Sequence, residues 1–493
     1  MRNILLATTV VAGVAAFAGA ASAQTATGFN VLGGGSSLAA NLYNRTAQAI
    51  AGTTNVGTVA LNGGLNTVGA IAGSTQGELG YQADGSGSGQ KAFIQQTLST
   101  HTLYNGLNTA LPGNGLVAFG ASDAYLTSDQ VACWSGTTAN CTAAGYATPT
   151  TAPSVAGGNI IQIPAFGTAV AVAHTNQYSK PIKLNDDDLC GIFSGKITDW
   201  SNVSAGSAKD RAGQAGTISV VVRSDGSGTS FLFTQHLAKV CTSTNTASGV
   251  TFVATKTFAS VFPSSTLPSN FTGASGSTAV ADALLTGTNL VSYLTPDFTS
   301  IAPVGLSHFQ KLATLGGVSV STLVAGKTDA QLIALALTSP YQYIKYASVY
   351  NTTEGKYYYP NTGSTTKALS NPGATDYAPG YPTTKVNAQD ATKWIPSIAQ
   401  PAKGYPIVGY TALLFPTCYA NSSVANYVKS FLTQLYNSGN KTNLTAEGFV
   451  GVPSGYSKTI KSVFVQGTSV YALNINNSTV CNSTGLTGTH AGL

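Results

Sequence analysis

"VVRSDGSGTSFLF" (residues 221–233) decides how this chain is read. Val220, Val221 and Val222 lead into Arg223; Ser224 and Asp225 follow, then five small residues, and the apolar run resumes at Phe231. Phe233, Leu237 and Val240 then recur at helical spacing, so the stretch predicts a strand, a Gly/Ser turn and a helix. A helix N-terminus presents unsatisfied N–H groups and a partial positive charge. Glycines let that backbone approach an anion closely, and the hydroxyls of Ser227, Thr229 and Ser230 add short donors. Arg223 offers a planar fork suited to phosphate or carboxylate, and Asp225, two residues on, can brace it from the same side of the chain.

The unit recurs. "FNVLGGGSSLAANLYNRTAQAIA" runs from a short apolar strand through three glycines, Ser36 and Ser37 into a helix whose face carries Tyr43, Ala47 and Ile50. "YQADGSGSGQKAFIQQTL" (81–98) repeats it around Ser86, and "LVAFGASDAYLTSDQ" (116–130) ends a strand at Gly120 and delivers Ser122 and Asp123. Strands alternating with helices imply an α/β sheet architecture. Two longer apolar runs, 160–174 and 405–416, are candidate crossovers between lobes. Between them lies "YQYIKYASVYNTTEGKYYYPNTG" and a Pro/Gly/Thr-rich stretch to about Gly404. Its Tyr357, Tyr358 and Tyr359 read as an inserted subdomain packing its own rings, with a partner or polysaccharide patch as the alternative.

Residues 1–23 have the form of a secretory signal: Arg2, an apolar Ile4–Ala18 core and Ala21-Ser22-Ala23 before a mature start at Gln24. Gln24 carries no lipid-anchor cysteine, and no later stretch reaches the roughly 18 apolar residues of a membrane span. The expectation is a periplasmic or secreted protein with no membrane span once the signal is removed. About 470 mature residues suggest two or three lobes. Charged residues make up only 8% and the net charge is +6, without basic runs, which argues against nucleic acid as a partner. Six cysteines in an exported chain read as up to three disulfides. Proximity suggests Cys133 with Cys141, Cys190 with Cys241 and Cys418 with Cys481, out of 15 possible connectivities. No C-x-x-C occurs and the histidines are scattered, so neither a metal nor another cofactor is expected.

Rival motifs fail on spacing. "GIFSGK" (191–196) has one residue too few for a nucleotide P-loop, G-x-S-x-G is absent, and "GGGSSL" lacks the last glycine of a dinucleotide fingerprint. Lys196 and Trp200, in "SGKITDW", read as structure, with Trp200 in the core.

"LGGGSSLAANLY", "YQADGSGSG", "FGASDAYLTSDQ", "LCGIFSGKITDWSN", "VVRSDGSGTSFLFTQHLAKV" and "YPIVGYTALLFP" follow one another in the order found in periplasmic phosphate-binding proteins, the solute receptors of bacterial phosphate ABC transporters. The resemblance covers most of the mature chain and is most specific at "RSDGSGTS" and "GASDA". It implies a two-lobed, hinged α/β periplasmic-binding-protein fold with mixed sheets flanked by helices: residues 24–168 begin lobe 1, 169–410 form lobe 2 with the Tyr-rich insertion at about 340–404, and 411–493 return to lobe 1. It implies inorganic phosphate as ligand, held by Ser37 and Leu38, Ser86 and Asp123 from one lobe and by Arg223, Ser227, Gly228 and Thr229 from the other. An ABC permease is the implied partner. The chain departs from the family's pattern in having Ser37-Leu38 for Thr-Phe, in its "NLVSYLTPD" strand (289–297) and in its greater length.

Binding without chemistry is therefore the leading expectation. An exported phosphatase or hydrolase with a similar anion pocket, and a surface-layer or adhesion protein on a receptor-like fold, are the alternatives.

Overall fold

The computed structural model describes residues 29–40, 42–43, 66–68, 78–95, 117–134, 138–146, 160–175, 181–298, 344–371, 390–416, 419 and 422–466. The signal-like segment, Cys418 and Cys481 lie outside them.

The first sheet is formed by β1 (Phe29–Gly35), β2 (Asn66–Val68), β3 (Glu78–Gln82), β4 (Phe119–Ser122), β5 (Ile160–Ala169) and, from far along the chain, β14 (Val408–Pro416), in the order β2-β3-β1-β4-β14-β5. β1 pairs in parallel with β3 and β4, whereas β14 lies antiparallel to both β4 and β5. Every residue of β5 and β14 is buried, as near-continuous apolar runs require when both faces of a strand are covered. Pro164 has no N–H to give the ladder, and the β5–β14 register slips there, from Thr411↔Phe166 to Ala412↔Pro164.

The 160–174 run is two strands. The chain leaves the first sheet at Ala169 and enters the second at β6 (Ala171–His174). With β8 (Ser219–Arg223), β9 (Phe271–Ala274), β10 (Leu290–Leu294) and β11 (Lys345–Tyr346), β6 forms a sheet ordered β11-β6-β10-β8-β9. The Tyr-rich stretch supplies β11 and then a hairpin, β12 (Ser348–Asn351) and β13 (Lys356–Tyr358), that pairs with β7 (Lys183–Leu184). Its rings do pack on one another: Tyr350 lies 4.9 Å from Tyr357 and Tyr346 5.6 Å from Tyr359, centroid to centroid.

Helices cover the sheets. Those that matter below are α1 (Ser86–Gln95), α2 (Asp186–Ser194), α3 (Gly228–Val240), α4 (Gly276–Thr286) and α5 (Ser422–Leu435). A capping box between Asn185 and Asp188 starts α2, and Gly195 ends it in the left-handed conformation that glycine adopts without a Cβ clash. Disulfides join Cys190 on α2 to Cys241 at the end of α3, and Cys133 to Cys141. Trp200 is buried, and Phe233 and Leu237 form the inner face of α3. In the first lobe Tyr43 sits edge-on against Tyr81, Phe119, Phe166 and Phe431, at centroid distances of 5.3–6.5 Å. That ring cluster reaches the cleft, because Tyr81 donates its phenol proton to the carbonyl of Ser36 at 2.7 Å.

Candidate functional site

The turns predicted from sequence lie at the carboxyl ends of the parallel strands, where open α/β sheets present their ligand crevices. β1 ends at Gly35, and Ser36 and Ser37 follow. The turn after β3 is tied to it, with the Gly85 N–H donating to the Gly35 carbonyl at 2.8 Å. β4 ends at Ser122 and delivers Asp123. From the second sheet come the turn after β8, carrying Arg223 to Ser227, and the turn after β9, which opens α4 at Gly276.

The two sets face each other closely. The Gly87 N–H donates to the Gly226 carbonyl at 2.7 Å, and Ser37 Oγ lies 3.0 Å from Ser277 Oγ. A Cβ built on Gly228 would fall 2.3 Å from Ser86 Oγ and 2.7 Å from the Asp123 nitrogen, so glycine is what this approach requires. Lys256 reaches from the second lobe to Gln90 Oε1 on α1, while its own carbonyl accepts from the Ser227 N–H at 2.9 Å.

Arg223 is the buried cation of the cleft, about 3% exposed. Its Nε and Nη2 donate to the two carboxylate oxygens of Asp225, the Nε bond measuring 2.6 Å, and Nη1 donates to Ser277 Oγ at 3.1 Å. Asp225 is held in turn by the Gly276 N–H at 2.9 Å. The fork is fixed from behind, as a planar group must be to recognise an anion with direction. Ser227 caps α3 by accepting from the Ser230 N–H, so Gly228 and Thr229 supply the first-turn N–H groups that have no intrahelical acceptor. Tyr293 closes the floor, accepting from the Arg223 N–H at 3.1 Å and sharing a 2.7 Å bond with Ser230 Oγ. Burial pushes its phenol up to about 12, so it stays protonated.

Asp123 stands opposite, about 1% exposed. Thr411 donates to its Oδ1 at 2.7 Å, Ser36 Oγ lies 2.9 and 2.8 Å from Oδ1 and Oδ2, and Ser86 Oγ is 3.4 Å from Oδ2. Burial raises its carboxyl above the usual range; the hydroxyls of Thr411, Ser36 and Ser86 and the charge of Arg223 oppose that rise. An arginine already neutralised by Asp225, a carboxylate and two helix N-termini can hold an anion that itself carries a proton.

The structure brings Ser37, Ser86, Asp123, Arg223, Ser227, Gly228 and Thr229 to one cleft, with Asp225 behind the arginine, while Leu38, next to Ser37, buries its side chain in the core. Sequence reading missed Ser36, Thr411, Ser277, Gly276 and Lys256. "ASGSTAV" (274–280) is a further Gly/Ser turn before a helix and carried a signal for Ser277. Thr411, one hydroxyl in an apolar strand, carried none. His174 packs against Trp200, and His236 bonds Ala399 O and Asp186, so neither enters the cleft. Among the described residues no group of three or more His, Cys, Asp or Glu is placed to hold a metal.

Two sheets joined by chain crossovers, with strand-end turns meeting over a buried cleft, define a two-lobed solute receptor. The family model for the PBP superfamily domain matches residues 20–437, and the chain belongs to that superfamily. It is 30% identical over 418 residues to a prokaryotic protein named Phosphate-binding protein, covering 83% of this chain and 94% of that one. It is 32% identical over 382 residues to Alkaline phosphatase L of Pseudomonas aeruginosa strain UCBPP-PA14, covering 76% of this chain and 85% of that one. A solved high affinity periplasmic phosphate-binding protein, bound with phosphate at pH 8.5, superposes with a TM-score of 0.61 at 26% identity, over 92% of this chain and 98% of that one.

Proposed function

We propose that this protein captures inorganic phosphate between its lobes, outside the cytoplasm, and hands it to an ABC permease without chemical change. The observation that carries the reading is the opposition of Asp123 and the Arg223–Asp225 pair across one buried cleft. The relative bound with phosphate supports it. Ser37 and Leu38, Ser86, Asp123, Arg223, Ser227, Gly228 and Thr229 are the proposed contacts. Phosphate near neutral pH always keeps a hydroxyl proton, which an ionised Asp123 accepts in a charge-assisted bond. Sulfate has no such proton and would set bare oxyanion charge against the carboxylate.

A hydrolase reading draws on the relatives named Alkaline phosphatase L. The cleft favours binding: among the described residues no histidine stands beside Ser86 or Ser227 to activate a nucleophile. Titration calorimetry of the mature protein with phosphate, sulfate and phosphomonoesters tests the first reading, and release of p-nitrophenol from its phosphate ester tests the second. Heat from phosphate alone, with no turnover, is the expected result. Turnover, or equal binding of sulfate, overturns the proposal.

A further inference from the structure

Resting on the reading of Asp123 as the acceptor of the ligand's proton, we infer that Thr411 is a positioning residue for anion selectivity, holding Asp123 ionised and leaving Oδ2 to the ligand. Thr411 lies in β14, 288 residues from Asp123 in sequence, and is fully buried. The register slip at Pro164 falls immediately beside it, and such irregularities re-aim side chains. Its hydroxyl gives Oδ1 a 2.7 Å bond in addition to the one from Ser36. Oδ2 has only the shared Ser36 proton and the long 3.4 Å contact from Ser86, itself a proposed ligand contact. Oδ1 thus has two protein hydroxyls within 2.9 Å, whereas Oδ2 has Ser36 at 2.8 Å and only a weak contact on the side of Ser86, where a ligand proton can enter.

The cost this arrangement offsets is desolvation. A carboxylate without water needs donors to stay charged, and a protonated Asp123 would donate to an anion and lose its means of rejecting sulfate. The Thr411 bond does most to lower the Asp123 carboxyl against the effect of burial. Among the described residues, the titratable groups electrostatically linked to Asp123 are Arg223, with Asp225 behind it, Tyr43, and Asp297 after β10. The packed elements α1 and β14 add Lys91 and Tyr410. Burial pushes Tyr43 and Asp297 upward and the Asp123 charge adds to both rises, so Arg223 and the hydroxyls are the groups that favour the charge on Asp123.

Removing a donor to the carboxylate raises the pH at which Asp123 takes up a proton, and selectivity disappears below that pH. Thr411→Val keeps the shape and removes the hydroxyl; Thr411→Ala is the second variant if valine disturbs the fold, and Thr411→Ser restores the donor. Phosphate and sulfate dissociation constants are measured from pH 5 to 8.5 for each. The expected result is a valine variant that loses its preference for phosphate at a higher pH than wild type, by about tenfold in the ratio where wild type still discriminates, with serine restoring the wild-type profile. Equal weakening of both anions at every pH, an unchanged profile, or no rescue by serine overturns the inference. A wild type that never discriminates overturns instead the reading on which it rests.

Discussion

The Gly87 N–H and the Gly226 carbonyl meet across the cleft at 2.7 Å, backbone to backbone. No side chain stands between the lobes at this point, and each glycine's missing Cβ would lie 3.1–3.2 Å from the other's α-carbon. Arg223, Asp123, Ser86 and Ser227 are all buried beneath that seam, so a ligand reaches them only when the lobes move apart.

Gly228→Ala is therefore expected to abolish phosphate capture while leaving each lobe folded. The new methyl would fall 2.6 Å from Asp123 Cβ and 2.7 Å from its backbone nitrogen, neither of which can rotate away. Alanine within α3 does not weaken that helix. A normal melting temperature with phosphate heat lost is the expected pair of observations; retained affinity shows that the lobes need not come this close.

Arg223→Ala leaves the partly buried Asp225 carboxylate without its arginine. Loss of one member of a hydrogen-bonded charge pair costs about 2–5 kcal/mol, or roughly 30- to 5,000-fold in Kd. Calorimetry on the folded variant checks the figure, and an unchanged Kd places the anion elsewhere.

Asp123→Asn replaces an acceptor with a group that also donates. Phosphate should weaken and sulfate strengthen, compressing the ratio of their dissociation constants. Arsenate, with phosphate's shape and protonation, is expected to bind wild type. A ratio untouched by the substitution removes Asp123 from its proposed role.

Lys256 gives the closed cleft a pH dependence. No carboxylate among the described residues pairs with it; its ammonium bonds neutral Gln90, and burial lowers its pKa to about 8. In the open form, with water around it, the group returns toward its ordinary value near 10.5. Closure is therefore opposed while the lysine is charged, and the opposition fades as pH rises above about 8. Phosphate affinity should increase on the order of tenfold between pH 8 and 10, a range in which phosphate is a dianion throughout. Lys256→Met should bind more tightly than wild type at pH 7.5 and show a flat profile. A wild-type profile that is already flat refutes this.

Much of the site was legible because its chemistry is local. Gly, Ser and charged residues at the end of a strand must make the turn and cap the next helix in the same few residues, so 221–233 and 81–98 announce themselves. Arg223 and Asp225, two residues apart, can only be neighbours. Thr411 could not be found this way: it meets Asp123 through the pairing of β14 with β4, which no single stretch encodes. Ser36 was passed over for Ser37 because two adjacent serines look alike in sequence, while the turn gives the carboxylate to the first and Ser277 to the second. The Tyr-rich stretch read as a separate insertion, yet β11 extends the second sheet and β12 pairs with β7.

The disulfides bear on stability apart from binding. Cys190–Cys241 closes 51 residues, for which loop entropy gives about 4 kcal/mol, and Cys133–Cys141 closes 8, for about 2.5 kcal/mol. Neither touches the cleft. Reduction should lower the melting temperature markedly and leave phosphate Kd within about twofold below the melt. A large loss of affinity on reduction would couple the bonds to closure.

β14 is an interior strand of the first sheet but is made from residues 408–416, after the whole second sheet has been synthesised. Domains fold as their residues emerge, at roughly 5–20 residues per second. The described strands of the second lobe are complete by Tyr358, some 50 residues before β14 begins. Until then β4 and β5 have no strand between them, and the buried Asp123 lacks its donor from Thr411. The order of synthesis thus postpones assembly of the anion cleft to the last part of the chain, so a molecule stalled or clipped before residue 408 carries a finished half-receptor with no ability to bind.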